Sequence, residues 1–582
     1  MTREDLKSRI LRLIAREEAA GRRRLRDAHA QSVEERAEAG DCLADLFLVG
    51  DDGSRIVLRT RENLSRFREG DPARLGDGRD PACGLAVSVV DDDPVEGLIT
   101  LERDWAARGE PIEGTGPFVL DKRDLSGADR LARAVARALD GRAPAGDVPF
   151  RIMSGGAPRA PSDAALRTAR KLAAETDLDP SQREAFSTAL AADPVHLVQG
   201  PPGSGKTWLL AALLRAFTSR GERVLVTAFT HRAINNVLRA FAPADSNPPC
   251  PVVKMGRGPN GDLAALPIMV RERLRAEAFP QGPLVVGATA FGAARLWDAL
   301  AFDRVVIDEA AQVPLPHGVI ALGSAQRATL VGDHRQMGPI VQADPPDPLA
   351  SVSIFEHLHA SYGATRLTTT YRMNAEINAF SSRHFYEGAL RPHPSCAARR
   401  LSIRPAGRFR EILDPDRPAV LVTLDHVACR QRSRAEALLA ADLAIALMAH
   451  HGIPAAEIAV IAPYRAQVNA IKQALRARAA KAGMALAEEP VIDTVERIQG
   501  QERDVIIASF TASDPDFLAR DASFYFSPNR LNVLLTRPRL KRILLASPLA
   551  FRAIPRHLDD LLSASLFRRL YDESDRIAWA GV

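Results

Sequence analysis

Cysteine is scarce in this chain, and its few cysteines are far apart. The 582 residues contain five of them, with no CxxC pair: Cys42, Cys83, Cys250, Cys396 and Cys429. Zinc ribbons, four-cysteine iron–sulfur clusters and the disulfide frameworks of small secreted domains all require closely spaced or numerous cysteines. The sequence therefore predicts reduced thiols and argues against these three kinds of site.

Long apolar runs are also absent. The apolar run at residues 209–214 is far shorter than the roughly 20 residues that cross a bilayer as a helix. Residues 1–26 mix Arg with Glu and Asp, which is unlike a secretory signal or an acid-poor transit peptide. We therefore expect no membrane segment and a cytoplasmic protein.

The chain has no strong excess of charge of either sign. It contains 77 Lys and Arg residues against 72 Asp and Glu residues, a formal net charge of +5. Composition alone therefore gives weak support for binding to a polyanion. Aromatic residues make up only 5% of the chain, which leaves few rings to stack on nucleobases. Function must be inferred from motifs rather than from bulk composition.

Strand-like periodicity begins near residue 41. Residues 1–40 carry apolar side chains at helical spacing, and the Arg-rich stretch at residues 22–26 is most simply a solvated helix face. Between residues 41 and 120, short apolar runs flank turns rich in Asp and Gly, which predicts a small β-barrel. A helix and a linker rich in Gly, Pro and Ala are expected over residues 121–175.

Strands and helices alternate from residue 176 onward. Short β-rich runs lie at residues 195–198, 223–227, 284–286, 304–307 and 329–331, and a second series lies at 419–424, 458–461, 491–494, 504–509 and 542–546. Such alternation predicts parallel sheets flanked by helices. The predicted fold class is therefore α/β, with two tandem domains over residues 176–360 and 361–560 and a C-terminal tail over 561–582.

A complete Walker A loop follows the first of these strands. The loop runs straight into an apolar helix and consists of Gly200, Pro201, Pro202, Gly203, Ser204, Gly205, Lys206 and Thr207. Its glycines let backbone N–H groups approach phosphates at the helix N-terminus. Lys206 is expected to reach the β- and γ-phosphates, and Thr207 to offer its hydroxyl to Mg²⁺. The strand–loop–helix context disfavours a chance glycine-rich turn.

Polar side chains follow two further strands. Asp308 and Glu309 end the run at residues 304–307, at the sheet edge where α/β proteins bind ligands. We expect Asp308 to hold Mg²⁺ through its water shell and Glu309 to orient and deprotonate the attacking water. After the next strand, Gln336 is a candidate sensor of the γ-phosphate, although this stretch by itself would be a polar turn.

Seven motifs occur in an order that is typical of helicases. They are GPPGSGKT, DEAAQ, VGDHRQMGP, TTYRMN, APYRAQ, ERIQGQERD and NVLLTRPR. The chain therefore resembles the Upf1-like (Upf1/Dna2-like) group of superfamily 1 over about residues 176–550. The resemblance implies two tandem RecA-like P-loop domains with ATP and Mg²⁺ in the cleft between them, after an N-terminal β-barrel on a helical stalk. It also implies movement from 5′ to 3′ along single-stranded DNA or RNA, and we expect a monomer.

The resemblance assigns roles around the rest of the nucleotide. Gln182 is similar to the adenine-reading glutamine of the family, and Tyr464 to its adenine-stacking ring. Gly500 and Glu502 resemble a glycine that approaches the γ-phosphate and a glutamate that contacts the ribose. A helix-capping segment, a half-buried tyrosine and a glycine-containing turn are the alternatives for these residues.

Two arginines of the second domain resemble the arginine fingers of the family. They are Arg372 and Arg537, and each would stabilise charge developing on the γ-phosphoryl group. Because both come from the domain opposite the Walker A loop, hydrolysis would depend on closure of the cleft. Thr370 stands where the family usually has Gln, and Pro538 directly follows the second arginine.

A bound strand is expected to cross the top of both domains. Hydroxyls and backbone amides can hold phosphates without reading sequence, and the candidates are Thr230, His231, Thr289 and Thr494. Each alone is more often a cap or turn residue. The barrel and an insertion over about residues 241–282 would flank the strand.

Three other functions compete with a helicase. A nucleic-acid-stimulated ATPase that remodels nucleoprotein complexes would need the same residues, so the sequence leaves it open. A helicase–nuclease lacks support, because the four-cysteine cluster and an evident metal site in the N-terminal region are absent. A binding module with a degenerate P-loop is opposed by the complete set of Lys206, Thr207, Asp308, Glu309, Arg372 and Arg537.

Overall fold

The fold is taken from a computed structural model. It describes residues 2–60, 63, 65, 67, 71–93, 97–123, 127–156, 160–245, 247–256, 263–271, 279–341, 343, 349–484, 486 and 488–579. The chain forms two compact units. One comprises Met1–Leu11, Leu131–Ile340 and Pro348–Val582, and the other comprises Arg12–Arg130 and Val341–Asp347.

Helices and strands alternate through most of the chain. The helices are α1 Arg3–His29, α2 Val33–Ala39, α3 Ala128–Leu139, α4 Val148–Met153, α5 Asp163–Ala174, α6 Pro180–Ala191, α7 Lys206–Ser219, α8 His231–Phe241, α9 Ala290–Leu296, α10 Leu315–Leu322, α11 Ile354–Tyr362, α12 Ala375–Phe385, α13 Pro394–Ala397, α14 Arg434–Ile445, α15 Arg465–Lys481, α16 Pro515–Arg520, α17 Ala522–Tyr525, α18 Pro528–Leu535 and α19 Leu558–Glu573. The strands are β1 Cys42–Asp51, β2 Arg55–Arg59, β3 Pro72–Gly76, β4 Leu85–Asp93, β5 Leu98–Arg103, β6 Phe118–Lys122, β7 Val195–Gln199, β8 Arg223–Thr227, β9 Val252–Met255, β10 Met269–Arg271, β11 Leu284–Gly287, β12 Phe302–Ile307, β13 Ala325–Gly332, β14 Thr365–Arg366, β15 Thr369–Thr370, β16 Arg391–Pro392, β17 Ala419–Leu424, β18 Ile458–Ala462, β19 Val491–Thr494, β20 Arg503–Ser509, β21 Pro538–Ala546 and β22 Asp575–Trp579.

A closed barrel forms the core of the smaller unit. Its strands pair antiparallel in the order β1-β2-β5-β4-β3-β6. Alternate apolar residues point inward and are fully buried, among them Ile56, Leu58, Ile99 and Leu101. The predicted barrel is therefore confirmed. The acidic stretch at residues 91–93, expected in a turn, instead ends β4, and Pro94 of that turn lies outside the described residues.

Eight parallel strands form the first sheet of the larger unit, in the order β10-β9-β11-β8-β12-β13-β7-β14. The central strands are rich in Val, Leu and Ile and are buried along most of their length, as expected where helices cover both faces. Because β12, β13 and β7 are neighbours, their carboxyl ends meet at one edge of the sheet. This edge carries the Walker A loop and both polar clusters that the sequence predicts.

The segment at residues 241–282 contributes to this first sheet. Within its described part, β9 pairs with β11 and β10 pairs with β9, both in parallel. The expected insertion therefore extends the sheet rather than only rising from it. Residues 257–262 and 272–278, which include Arg257, lie outside the described residues, as do Ala157 and Pro158 of the expected linker.

Six parallel strands form the second sheet, in the order β19-β18-β20-β21-β17-β22. The region expected as a C-terminal tail belongs to this sheet: β22 pairs with β17, and Phe567 and Leu570 of α19 are buried in its core. Conversely, β14 pairs with β7, so residues 365–366 belong to the first sheet. Buried apolar side chains of α19 and β22 account for the first difference. Strand β14 is polar and only partly buried, and it joins the first sheet through its backbone pairing with β7.

The structure thus confirms a mixed α/β protein with parallel sheets and a separate barrel. None of the described helices is both long and apolar enough to cross a membrane.

Candidate nucleotide site

The Walker A loop turns sharply between β7 and α7. Gly203 and Gly205 have φ angles of 70° and 75°, in the left-handed region that glycine adopts without steric cost. A Cβ on Gly203 would lie 2.5 Å from the Cβ of Arg372, and one on Gly205 would lie 2.5 Å from Nε2 of Gln182. Close packing therefore also requires glycine at both positions.

Lys206 and Ser204 are hydrogen-bonded within the loop itself. The Lys206 ammonium donates to the backbone oxygen of Gly200 at 2.9 Å, and the Ser204 hydroxyl donates to that of Pro201 at 2.7 Å. Lys206 and Thr207 stand in the first turn of α7, and both are half-buried. A phosphate at this helix N-terminus would meet the ammonium and the backbone N–H groups together.

Asp308 lies at the end of β12 as a buried carboxylate. Burial and the adjacent Glu309 carboxylate raise its pKa to about 7, and the Lys206 ammonium only partly offsets this. Its Oδ1 atom is buried without a hydrogen-bond partner among the described residues. An unpartnered carboxylate oxygen beside the phosphate-binding loop fits the needs of Mg²⁺, a hard cation with oxygen ligands.

Glu309 takes a backbone conformation that is rare for a residue with a side chain. Its φ is 47°, in the left-handed region, and such strained residues cluster at active sites. Its carboxylate accepts a hydrogen bond from the Gln312 amide at 3.3 Å. Glu309 is half-buried, so it can meet both water and a bound ligand.

Gln336 is held between the two sheets. Its amide nitrogen donates to Asp333 at 2.8 Å, and its amide oxygen accepts from Nη2 of Arg537 at 3.2 Å. Arg537 follows α18 of the second sheet and is 2% exposed. Burial lowers the pKa of its guanidinium to about 9, an effect that the nearby Glu309 partly opposes. The structure therefore brings one predicted finger beside the predicted sensor.

Arg372 reaches the Walker A loop through three consecutive residues. The Thr370 hydroxyl donates to the backbone oxygen of Pro202 at 3.0 Å, and the backbone N–H of Tyr371 donates to that of Gly203 at 2.8 Å. The Arg372 guanidinium donates to Glu502 at 2.6 Å and to the backbone oxygen of Thr536 at 3.0 Å.

Glu502 is thus the partner of Arg372, a predicted arginine finger, in this structure. Burial alone would raise its pKa, but Arg372 and then Arg539 and Arg537 outweigh it and lower the pKa. Its neighbour in the motif, Gly500, has a φ of 79°, and a Cβ there would meet nothing within 4 Å. The turn conformation accounts for that glycine, and the predicted contact with the γ-phosphate stays a prediction.

The tyrosine beside the Walker A loop is Tyr371, not Tyr464. The Tyr371 hydroxyl donates at 3.0 Å to Asp179, the N-cap of α6. Gln182 completes that capping box and donates to the backbone oxygen of Ser204 at 2.9 Å. Tyr464 instead packs on Phe524, with its hydroxyl 2.6 Å from Asp521. It is 8% exposed, so the structure does not bring its ring to the loop, and Tyr371 lies there instead.

Three of the four predicted strand-contact residues lie at helix N-termini. The hydroxyls of Thr230 and Thr289 accept backbone N–H groups as N-caps of α8 and α9, which is the alternative that the sequence also allowed. His231 is exposed, and its Nδ1 lies 2.8 Å from the ammonium of Lys254. Thr494 ends β19 and is 9% exposed, so it presents little surface to a strand.

Sequence reasoning missed Tyr371, Tyr386 and Asn532. Tyr371 and Asn532 fall within two of the seven motifs, directly before Arg372 and one helical turn before Arg537, so proximity to the fingers was an available signal. Tyr386 falls in none of the motifs. Only the structure shows that its hydroxyl contacts Asp333.

Comparisons with known proteins find two matching family models and several relatives. A family model described as an AAA domain matches residues 177–408, and a second model with the same description matches residues 350–548. The chain is 27% identical over 437 residues to DNA replication ATP-dependent helicase/nuclease dna2 of Schizosaccharomyces pombe, covering 68% of this chain and 30% of that protein. It is also 27% identical over 432 residues to DNA polymerase alpha-associated DNA helicase A of the same organism, covering 62% of each.

The chain therefore spans less than two thirds of the length of these relatives. Among solved structures, the chain is similar to an arterivirus nonstructural protein 10 (helicase), with a TM-score of 0.38 and 14% sequence identity. The match covers 88% of this chain and 77% of the viral chain.

Proposed function

Because the chain belongs to the Upf1/Dna2-like family of superfamily 1 helicases, a family of ATP-hydrolysing helicases, we propose that it couples ATP hydrolysis to movement along a single nucleic-acid strand. In this proposal the two parallel sheets are the cores of tandem RecA-like domains. ATP would bind between them, against the Walker A loop.

One observation carries the proposal: both sheets contribute side chains to the surroundings of one loop. Lys206 and Glu309 follow strands of the first sheet, and Arg537 directly precedes β21 of the second. Arg372 follows β15, which pairs with β16 in a two-stranded sheet of its own. Hydrogen bonds of 2.8–3.0 Å join the loop to the segment that leads into Arg372. A site assembled in this way is complete only when the two sheets are close together.

The residues divide the chemistry among them. Lys206 would exchange the Gly200 oxygen for phosphate oxygens, and Asp308 with Thr207 would hold Mg²⁺, which neutralises phosphate charge when bound. Glu309 would orient the attacking water and accept its proton.

Arg372 and Arg537 would stabilise the charge that develops on the transferred phosphoryl group. In this structure both guanidinium groups are occupied by protein acceptors, namely Glu502, Gln336 and backbone oxygens. Each finger must therefore change partners to reach a phosphate. That exchange gives hydrolysis a means of altering the contacts between the domains.

DNA is the favoured strand. Both of the relatives described above are named as acting in DNA replication or as DNA helicases. RNA is the other outcome of the test. Movement from 5′ to 3′ follows from the family resemblance, and the strand would pass the exposed Thr230 and His231 at the top of the first sheet.

Tailed duplexes test the proposal. ATP hydrolysis and strand separation are measured on DNA and RNA duplexes with a 5′ tail, a 3′ tail or no tail. We expect ATP-dependent separation of the 5′-tailed DNA duplex, with the tailless duplex left intact. Hydrolysis without separation of any duplex would replace this proposal with an ATPase that remodels nucleoprotein complexes. Absence of stimulated hydrolysis would contradict both.

A further inference from the structure

Asp333 is a buried carboxylate whose described partners are all uncharged. It lies just after β13 and is 1% exposed. Its two oxygens accept from the side chains of Gln199 and Gln336, the backbone N–H of Arg335 and the hydroxyl of Tyr386, at 3.3, 2.8, 3.2 and 2.7 Å in that order. A buried carboxylate depends on such donors for its orientation.

Tyr386 supplies the shortest of these four bonds, and it does so from the second sheet. The residue directly follows α12 as its C-cap, is fully buried, and packs in the apolar core of that sheet. Its hydroxyl donates to Asp333 at 2.7 Å and accepts from the Asn532 amide at 2.8 Å. One hydroxyl therefore connects the first sheet to helix α18 of the second.

Both ends of this connection lead to groups assigned to the γ-phosphate. Asp333 orients Gln336 through a 2.8 Å bond, and the same carboxylate contacts Gln199, the last residue before the Walker A loop. Asn532 lies in α18, which leads directly to Arg537, and its amide also donates to the backbone oxygen of Arg335 at 2.8 Å. A hydrogen bond from Arg537 to Gln336 completes this network between the two sheets.

We propose that Tyr386 is a positioning residue for ATP hydrolysis. Its hydroxyl fixes the distance between the Asp333 carboxylate and helix α18, and this distance determines how Gln336 and Arg537 are placed relative to each other. This inference rests on the proposed ATPase. Tyr386 does not touch the loop in this structure and acts through Asp333 and Asn532.

The substitution Tyr386→Phe isolates the hydroxyl, since the ring keeps its place in the core. Tyr525→Phe is a matched control. Tyr525 lies in the same core, is 6% exposed, and its hydroxyl donates to the backbone oxygen of Phe510 at 2.9 Å, away from the nucleotide site. Both variants lose a buried hydroxyl and keep a phenyl ring.

The first test is steady-state ATP hydrolysis with saturating single-stranded DNA. We expect Tyr386→Phe to lower kcat roughly tenfold or more while KM for ATP changes less than about threefold, because positioning acts on the transition state. Tyr525→Phe should keep the wild-type kcat. Equal kcat values in the two variants would overturn the inference. Absence of hydrolysis by the wild-type chain would instead overturn the proposed function.

A double variant separates positioning of Gln336 and Arg537 from a general loss of packing in the second sheet. In a Gln336→Ala background, Tyr386→Phe should add little further loss of kcat, because residues of one network are not additive; independent losses that multiply would contradict the mechanism.

Hydrogen exchange supplies a readout that needs no ATPase. Amide exchange in Tyr386→Phe should rise at residues 333–337 and in α18 relative to Tyr525→Phe. Unchanged exchange at those segments, or an equal rise throughout the second sheet, would show a merely structural role.

Discussion

The Arg372 guanidinium and the Glu502 carboxylate form a hydrogen-bonded ion pair, with Nε 2.6 Å from Oε2. The pair fixes the end of a side chain whose base lies beside the Walker A loop, because a Cβ on Gly203 would lie 2.5 Å from the Cβ of Arg372. A phosphate therefore competes with Glu502 for this arginine. Arginine suits such an exchange because its planar fork can contact more than one acceptor at a time.

Arg372→Lys tests that role. Lysine keeps the charge but lacks the planar fork that would pass from Glu502 and the Thr536 oxygen to a phosphate, so kcat for ATP should fall by about a hundredfold or more. Nucleotide affinity, measured by fluorescence titration, should change less than about threefold. Arg400→Lys is the matched control, because Arg400 pairs with Glu376 on the surface of the same region. A wild-type kcat in Arg372→Lys would exclude it as a finger.

Gly203→Ala tests the contact between the loop and the second sheet. The new methyl group would meet Arg372 and Thr370 at 2.5 and 2.6 Å, so we expect kcat to fall at least about tenfold. Gly221→Ala carries the same backbone penalty, with a φ of 81°, but meets nothing within 4 Å. Both variants should lose roughly 1 kcal/mol of stability. Similar ATPase rates in both would show that the contact does not matter.

Tyr371→Ala should impair ATP binding, whereas Tyr464→Ala should impair stability. Loss of the Tyr371 ring, which stacks on His393 and contacts Asp179 through its hydroxyl, should raise KM for ATP about tenfold through lost stacking on the base, with a small change in Tm. Loss of the buried Tyr464 ring should lower Tm, because aromatic truncation in a core costs about 3–5 kcal/mol. Thermal melts and ATP titrations of both variants show which tyrosine contacts the nucleotide and which one stabilises the core. A raised KM in Tyr464→Ala at unchanged Tm would instead support Tyr464 as the adenine-stacking ring.

Asp308→Asn should weaken function and strengthen the fold. Folding raises the pKa of the Asp308 carboxyl to about 7. The folded protein therefore loses stability as the pH increases from the pKa of this carboxyl in the unfolded chain up to 7. Replacing it with a neutral amide removes this loss, so in EDTA at pH 8 the variant should have a Tm about 1–3 °C higher than wild type. The gain should vanish near pH 4, and the Mg²⁺ requirement for hydrolysis should rise. A lower Tm at pH 8 would contradict this account of the buried charge.

The sequence predicted most of what depends on local pattern. The Walker A loop, the carboxylates after β12 and the alternation of strands and helices are encoded in contiguous residues, and the structure has the strands at those places. The turn predicted at residues 91–93 was wrong. Three consecutive acidic residues are typical of a turn, but β4 continues through them.

Contacts between distant segments could not be read from the sequence. Tyr464 follows a buried strand much as a ligand-binding residue would, yet its neighbours are Asp521 and Phe524, far along the chain. The bond from Tyr386 to Asp333 likewise joins residues that are far apart in sequence. Such pairings depend on how the two sheets pack, and no single motif contains that information.

The most direct test of the account is ATP hydrolysis, with and without single-stranded DNA, by wild type and by Glu309→Gln. Glutamine keeps the shape of the side chain but cannot accept the proton of the attacking water. We predict DNA-stimulated hydrolysis by wild type and a loss of about a thousandfold in the variant, with nucleotide binding retained. Equal hydrolysis by both proteins would contradict the assignment of this site.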